Sequence, residues 1–236
     1  MSNFDPVMPP YNASDPTARF LSSSCLDFLM IEIVPMAYRV ANELEADARE
    51  KEAEVSAAAG GVDGGVGGAA AVAGLEGRGD GINGAGVAGG KAVVPVMDEE
   101  EEREAVFWRL EGIGYRVGQG LVERFSRDRP RFNDTLDVIK FLCKDLWTLV
   151  FRKQVDNLKT NHRGVYVLTD NAFRPFARMS AEMGSQAVLR AQPFLWFPCG
   201  IVRGALAAMG ITATVQAETS ELPSAVFQIK TITAKT

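Results

Sequence analysis

GIGYRVGQGLVERF, residues 112–125, places four glycines within nine positions ahead of an apolar run. Clustered glycines suggest a loop that cradles phosphate, but the spacing argues otherwise. A dinucleotide fingerprint needs G-x-G-x-x-G after a strand, and Val117 stands where the third glycine belongs. No Gly-Lys-Ser/Thr follows, so the stretch is no P-loop either. Upstream, DEEEEREAVFWRLE (98–111) is rich in helix formers, with Val106, Phe107 and Leu110 apolar at helical spacing. Downstream, Val117, Leu121 and Phe125 recur every four residues. Gly114 and Gly118 therefore lie one turn apart on a helix face, as do Gly200 and Gly204 in CGIVRGALAAMG (199–210). A missing Cβ lets another backbone approach closely, so these four read as packing glycines rather than a nucleotide site.

The rest of the chain extends this helical reading. SSSCLDFLMIEIVPMAYRVANELEADAREKEAE (22–54) predicts a first helix, with Ser24 as cap, Asp27 in the first turn and a kink at Pro35. Its first half is apolar on more than one face, so either it is a buried central helix or a partner covers the second face. RFNDTLDVIKFLCKDLWTLVF (131–151) predicts a third helix, capped by Asn133 or Asp134, with Leu136, Ile139, Cys143, Leu146 and Val150 on one side. The period then changes. GVYVLTD (164–170) and FRPFAR (173–178) flank Asp-Asn, a hairpin signal with Pro175 placing the second strand at an edge. A last helix spans about Phe194 to Met209 and stops at Gly210; ITATVQAE (211–218) and ELPSAVFQIKTIT (221–233) make a second hairpin. The expected fold is α+β, N-terminal helices packed with an antiparallel four-stranded sheet of two hairpins.

Composition bounds the organisation. Of 236 residues 47% are hydrophobic, enough for one packed domain, and the net charge of −5 gives no footprint for nucleic acid. Residues 1–19 read as a flexible arm. Residues 20–236 read as a single domain, interrupted at 57–96 by a glycine-rich insertion whose ordering would cost entropy with little side-chain surface to repay it. Neither a signal peptide nor a membrane span is expected, because Asp27 and Glu32 interrupt the first apolar run.

Catalytic chemistry finds little support. Gly-x-Ser-x-Gly, H-E-x-x-H and Cys-x-x-Cys are absent from the sequence. Cys25, Cys143 and Cys199 are far apart in apolar contexts, which predicts free thiols in a reducing compartment, with no metal site and no cofactor. His162, the one histidine, reads as a surface turn residue, and pairing it with Cys143 as base and nucleophile conflicts with the cysteine's place on an apolar stripe. Arg124, Arg127, Arg129, Arg131, Lys140 and Lys144 form a basic patch with Asp128, Asp134 and Asp137 interspersed, a pattern better suited to acidic side chains than to membrane phosphates.

GYRVGQGLVERF, FNDTLDVIKFLCKDLW, VDNLKTNHRGVYVLTDNAFR and CGIVRGAL, spread through residues 114–206, make the chain resemble the small α+β subunits of the transport protein particle (TRAPP), in the branch called subunit six. The resemblance implies a non-catalytic subunit that heterodimerises with the central small subunit of a vesicle-tethering complex. The resemblance further implies that the complex activates a Rab-type GTPase in ER-to-Golgi and Golgi traffic, so this chain is expected in the cytoplasm, peripherally at Golgi and ER-derived membranes. The central subunit carries an acylated cysteine where this chain has Arg129, in RDRPRF (127–132), so a covalent acyl chain is not expected here. The competing readings are a lipid-binding module and a small nucleotide-binding enzyme. On the assembly reading the partner surface is expected at Phe28, Ile31 and Glu32 of the first helix, with Phe107 and Leu110 of the second beside them.

Overall fold

The computed structural model describes residues 22, 24–59, 98–127, 129–161, 163–179 and 185–232. The N-terminal arm, His162 and nearly all of the glycine-rich insertion lie outside the described residues. Helix α1 (Cys25–Ala59) runs through Pro35 and three residues into the stretch read as insertion. It meets the core only through its first half, where Met30, Ile33, Val34, Ala37 and Ala41 are buried. Beyond Ala41 its charged sequence is held by helix-internal contacts such as the Arg49–Glu45 ion pair.

The centre of the molecule is the crossing of α2 (Glu99–Phe125) and α6 (Trp196–Ala208). Four glutamates fill the first turn of α2, where carboxylates complement the positive end of the helix dipole. Gly114 and Gly118 of α2 face Gly200 and Gly204 of α6. A Cβ on any of the four would stand 2.0–2.1 Å from a carbonyl oxygen of the opposite helix: Phe197, Ile201, Glu111 and Tyr115 respectively. No side chain fits there, so glycine sets the helix separation.

The third predicted helix is built in three pieces. Asp134 Oδ1 accepts from the Asp137 amide at 2.7 Å and starts α3 (Thr135–Phe141). A π-turn (Leu142–Leu146) and α4 (Trp147–Phe151) follow. The wider turn rotates the buried stripe, so that Phe141, Leu142, Trp147 and Phe151 are buried together with Ile139, Cys143 and Leu146. The carbonyl of Cys143 accepts from the Val155 amide at 3.1 Å, tying the outgoing loop back to the π-turn.

The sheet has the order β1-β2-β4-β3, antiparallel throughout, from β1 (Asn157–Thr160), β2 (Val165–Asp170), β3 (Ala213–Glu218) and β4 (Ala225–Thr231). Leu168 faces Phe227 and Tyr166 faces Ile229, so the alternating buried positions of the two central strands coincide. The fold is α+β, with a four-stranded sheet made of two hairpins. The first hairpin, however, is β1 with β2. It turns at 161–164, where Asn161 Oδ1 accepts from the amides of Arg163 and Val165 at 2.9 and 3.1 Å. FRPFAR is not a strand. Arg174–Arg178 form a 3₁₀ turn, because Pro175 has no donor for a ladder and the turn carries Phe173 and Phe176 together into the core. There Phe173 packs against Phe151 and Phe227, with ring centroids 4.9 and 5.6 Å away. A short α5 (Ser185–Ala191) and a 3₁₀ turn (Gln192–Leu195) lead into α6.

Candidate functional site

The buried chemistry of the described residues is structural. Glu111, almost wholly buried on α2, accepts two hydrogen bonds from the Arg203 guanidinium of α6, which also lies 4.3 Å from the centre of the Tyr115 ring. The bond to Glu111 raises the Arg203 pKa, and the pair fixes the helix crossing beside its glycines. Asp170, at the inward end of β2, accepts from the indole Nε1 of Trp147 at 2.8 Å, from Lys153 Nζ at 2.5 Å and from the Ala172 amide at 3.1 Å. That triple use explains the Asp-Asn signal: the carboxylate ends the strand and turns the chain toward Phe173, and the chain does not double back.

Nothing in this inventory supplies a nucleophile. Burial pushes the Cys143 thiol up to about 12 and the Cys199 thiol higher still. Both therefore stay protonated at neutral pH. Among the described residues no group of three or more His, Cys, Asp or Glu side chains is placed to hold a metal ion. Nor is any described helix long and apolar enough to cross a membrane. Two of the six residues of the basic patch are engaged: Arg129 pairs with Asp145 at 2.8 Å and lies over the Phe141 ring, and Lys140 pairs with Asp137; Arg124, Arg127, Arg131 and Lys144 are exposed.

Large apolar side chains are also left uncovered. The outer face of α1 exposes Phe28 at 68% and Ile31 at 50%, with Leu29, Met36 and Val40 also open to solvent. Glu32 lies exposed on the same face in an ion pair with Arg39. Asp27, one residue before Phe28, is anchored by Arg174 through a 3.1 Å bond from Nε, which docks the start of α1 onto the 3₁₀ turn. Five side chains were expected on this surface. Phe28, Ile31 and Glu32 are exposed as that requires; Phe107 is half-buried, edge-on to both Trp108 and Trp196. Leu110 does not belong with them. It is fully buried in the core, because α2 turns its 106/110 stripe inward. The more exposed aromatic of α2 is Trp108, at 60%, ahead of Phe125 at the helix end. It was missed because an isolated tryptophan within an apolar helical run reads as core.

Two grooves flank α1. One, against α5 and the turn that follows it, is lined by Val34, Tyr38, Arg103, Leu189 and Pro193; burial raises the Tyr38 pKa there, with Glu102 adding to it. The other, against α2, is lined by Met36, Val40, Trp108, Arg109, Gly112 and Arg116. A surface of this kind, a long helix with open aliphatic and aromatic side chains between two shallow grooves, suits a protein partner better than a small molecule.

The wider comparison agrees with that character. Residues 26–232 match the family of transport protein particle (TRAPP) components. The chain is 54% identical over 130 residues to trafficking protein particle complex subunit 6b of Danio rerio, covering 55% of this chain and 82% of that protein. It is 52% identical to subunit 6B of Homo sapiens, also over 130 residues, with 55% and 81% covered, and 51% identical over 120 residues to subunit 6A of the same organism, with 51% and 74% covered. With 207 consecutive residues spanned by the family match, against 236 in all, the chain belongs to the family of TRAPP components.

Proposed function

We propose that this chain is a non-catalytic subunit of the TRAPP assembly that heterodimerises with the assembly's central small subunit through the outer face of α1. The observation that carries the reading is the exposure of Phe28 and Ile31 on a helix whose opposite face is already packed into the core. Burying large apolar side chains of this kind contributes roughly 1.5–3 kcal/mol each. Family membership supports other TRAPP subunits as its partners. Vesicle tethering and nucleotide exchange on a Rab-type GTPase belong to the assembly, to which this chain contributes a wall rather than a reacting group. Its place at Golgi and ER-derived membranes is peripheral and follows from the complex.

Light scattering of the chain with and without the central small subunit tests this. Phe28→Asp and Ile31→Asp put a carboxylate on a surface that is open in the monomer, so circular dichroism is expected to stay unchanged while co-elution is lost. A parent chain that stays monomeric and never co-elutes overturns the heterodimer reading.

A further inference from the structure

Ser126, at the end of α2, stands among arginines. In VERFSRDRPRF (122–132) four of them lie at −2, +1, +3 and +5 from the serine, against two acids, Glu123 and Asp128. Ser126 closes α2 through its backbone: its amide donates to the Val122 carbonyl at 2.9 Å, and its carbonyl accepts from the Arg129 amide at 3.1 Å. The second bond folds the chain back within about 7 Å and sets Arg129 beside the serine. Arg129 is held in turn by two bonds to Asp145, at 2.8 and 2.9 Å, with its guanidinium 4.9 Å from the centre of the Phe141 ring. That anchor pins the loop to the π-turn, where Lys144 precedes Asp145. Arg124, Arg127, Arg131 and Lys144 are exposed, and the serine itself is half-buried.

Arginines on both sides of a hydroxyl serve two purposes. Before modification they form the charge pattern that arginine-directed serine kinases select through acidic groups of their own. Afterwards guanidinium groups hold the phosphoserine dianion by charge-assisted bonds. The local backbone gives access, since none of the described residues among 126–134 belongs to a helix or strand. One effect opposes: the end of α2 carries about half a negative elementary charge. Arg124 already offsets it in the last turn, and Arg127 and Arg131 add two full positive charges. Asp134 and Asp137 interrupt the patch farther along, so a single covalent phosphate suits it better than a sheet of lipid headgroups. We propose that Ser126 is a phosphorylation site for an arginine-directed serine kinase, with Arg124, Arg127 and Arg131 holding the phosphate. ATP is the donor. Ser126 Oγ attacks the γ-phosphorus and the Oγ–P bond forms as the bond to the bridging oxygen breaks. ADP leaves with that electron pair, and the hydroxyl proton passes to the kinase's base. The phosphate carries about −1.5 to −2 at neutral pH, which cancels the excess of four arginines over two acids in 122–132. Modification therefore switches this end of α2 from cationic to near neutral, and it does not depend on the heterodimer reading.

The test uses the full chain, purified from its own cells under phosphatase inhibitors and, separately, treated as pure protein with the catalytic domain of protein kinase C and magnesium ATP. Tandem mass spectrometry is expected to place a phosphate on Ser126 in both samples. Ser126→Ala is expected to lose that phosphate and keep the circular dichroism of the parent, because the backbone makes the cap. Arg124→Gln combined with Arg127→Gln is expected to lower the kinase's kcat/KM for Ser126 roughly tenfold or more. Phosphorus NMR of the phosphorylated chain is expected to show the phosphate titrating at lower pH in the native state than in urea, because nearby arginines favour the dianion. Retention on a cation exchanger is expected to fall. The same titration in both states overturns the part assigned to the arginines. Ser126 left unmodified in the folded chain, or modified by the kinase but never in cells, overturns the site. Phosphate found only on Ser22, which has Arg19 three residues before it, overturns it as well.

Discussion

A Cβ placed on Gly204 would stand 2.0 Å from the carbonyl oxygen of Tyr115. Real side chains do not come so close to a backbone oxygen, so even alanine there forces α2 and α6 apart. Gly204→Ala is expected to destabilise the chain by at least about 1–3 kcal/mol. Gly120→Ala, on the open side of α2 with nothing within 4 Å, is expected to be neutral or to stabilise by up to about 1 kcal/mol. Urea unfolding of the two variants side by side checks the contrast; equal midpoints would mean the crossing is looser than the glycines imply.

Lys153 joins Asp156, at 2.6 Å, to the buried Asp170. Lys153→Met leaves the Asp170 carboxylate buried with its two neutral donors alone, a loss of about 1–3 kcal/mol. The pH dependence follows from the directions of the shifts. The hydrogen bond from Lys153 and that from the Asn171 amide lower the Asp156 pKa, so its contribution is complete above its ordinary value of 3.8 and is lost as pH falls through the folded value. Burial disfavours the Lys153 ammonium, but its bonds to both carboxylates outweigh this and raise the pKa. Its contribution is therefore complete below 10.5 and is lost as pH rises through the folded value. Thermal midpoints across pH are expected to lose part of both slopes in Lys153→Met, and unchanged slopes would separate the cluster from stability.

The cysteines are expected to react in a fixed order. Cys143 and Cys199 are buried and hold their protons, whereas Cys25 is partly exposed at the start of α1. A thiol reagent at neutral pH should label Cys25 in the native chain, and the other two only after unfolding. Rapid native labelling of Cys143 would show that the π-turn opens readily.

Arg152 closes α4 with φ of 64°, a left-handed conformation that residues with a side chain adopt at a cost. Arg152→Gly is expected to stabilise by about 0.5–1 kcal/mol. A lower melting temperature for this variant would mean that the arginine side chain contributes more than the strain it carries.

Much of this architecture can be read from the chain by period alone. Glycines four apart in two distant segments mark the helix crossing, and the apolar alternation of 211–218 and 225–231 marks the second hairpin. The sequence hides what breaks a period or has none. Asn157–Thr160 is mostly exposed and so has no apolar alternation, while Phe173 and Phe176 sit three apart, a turn spacing that resembles an interrupted strand. The π-turn leaves no mark either, since Leu136, Ile139, Cys143 and Leu146 continue a helical stripe across it. Leu110 and Trp108 exchange roles because α2 is apolar on several sides and only its neighbours orient it. Gly112 and Gly120 fall off the four-residue spacing of Gly114 and Gly118, a difference that reveals itself only when each position is asked what it faces.

Glu111 and Arg203, which clamp the central crossing, are 92 residues apart. Protein synthesis runs from one end, so α1 and α2 leave the ribosome well before α6 exists to receive them. During that interval the bare strip of Gly114 and Gly118 has no opposing backbone, and Val106 and Leu110 lack their complete enclosure. The N-terminal helices therefore cannot complete their packing until the last helix, and the β3–β4 hairpin after it that carries the buried Phe227 and Ile229, have been made.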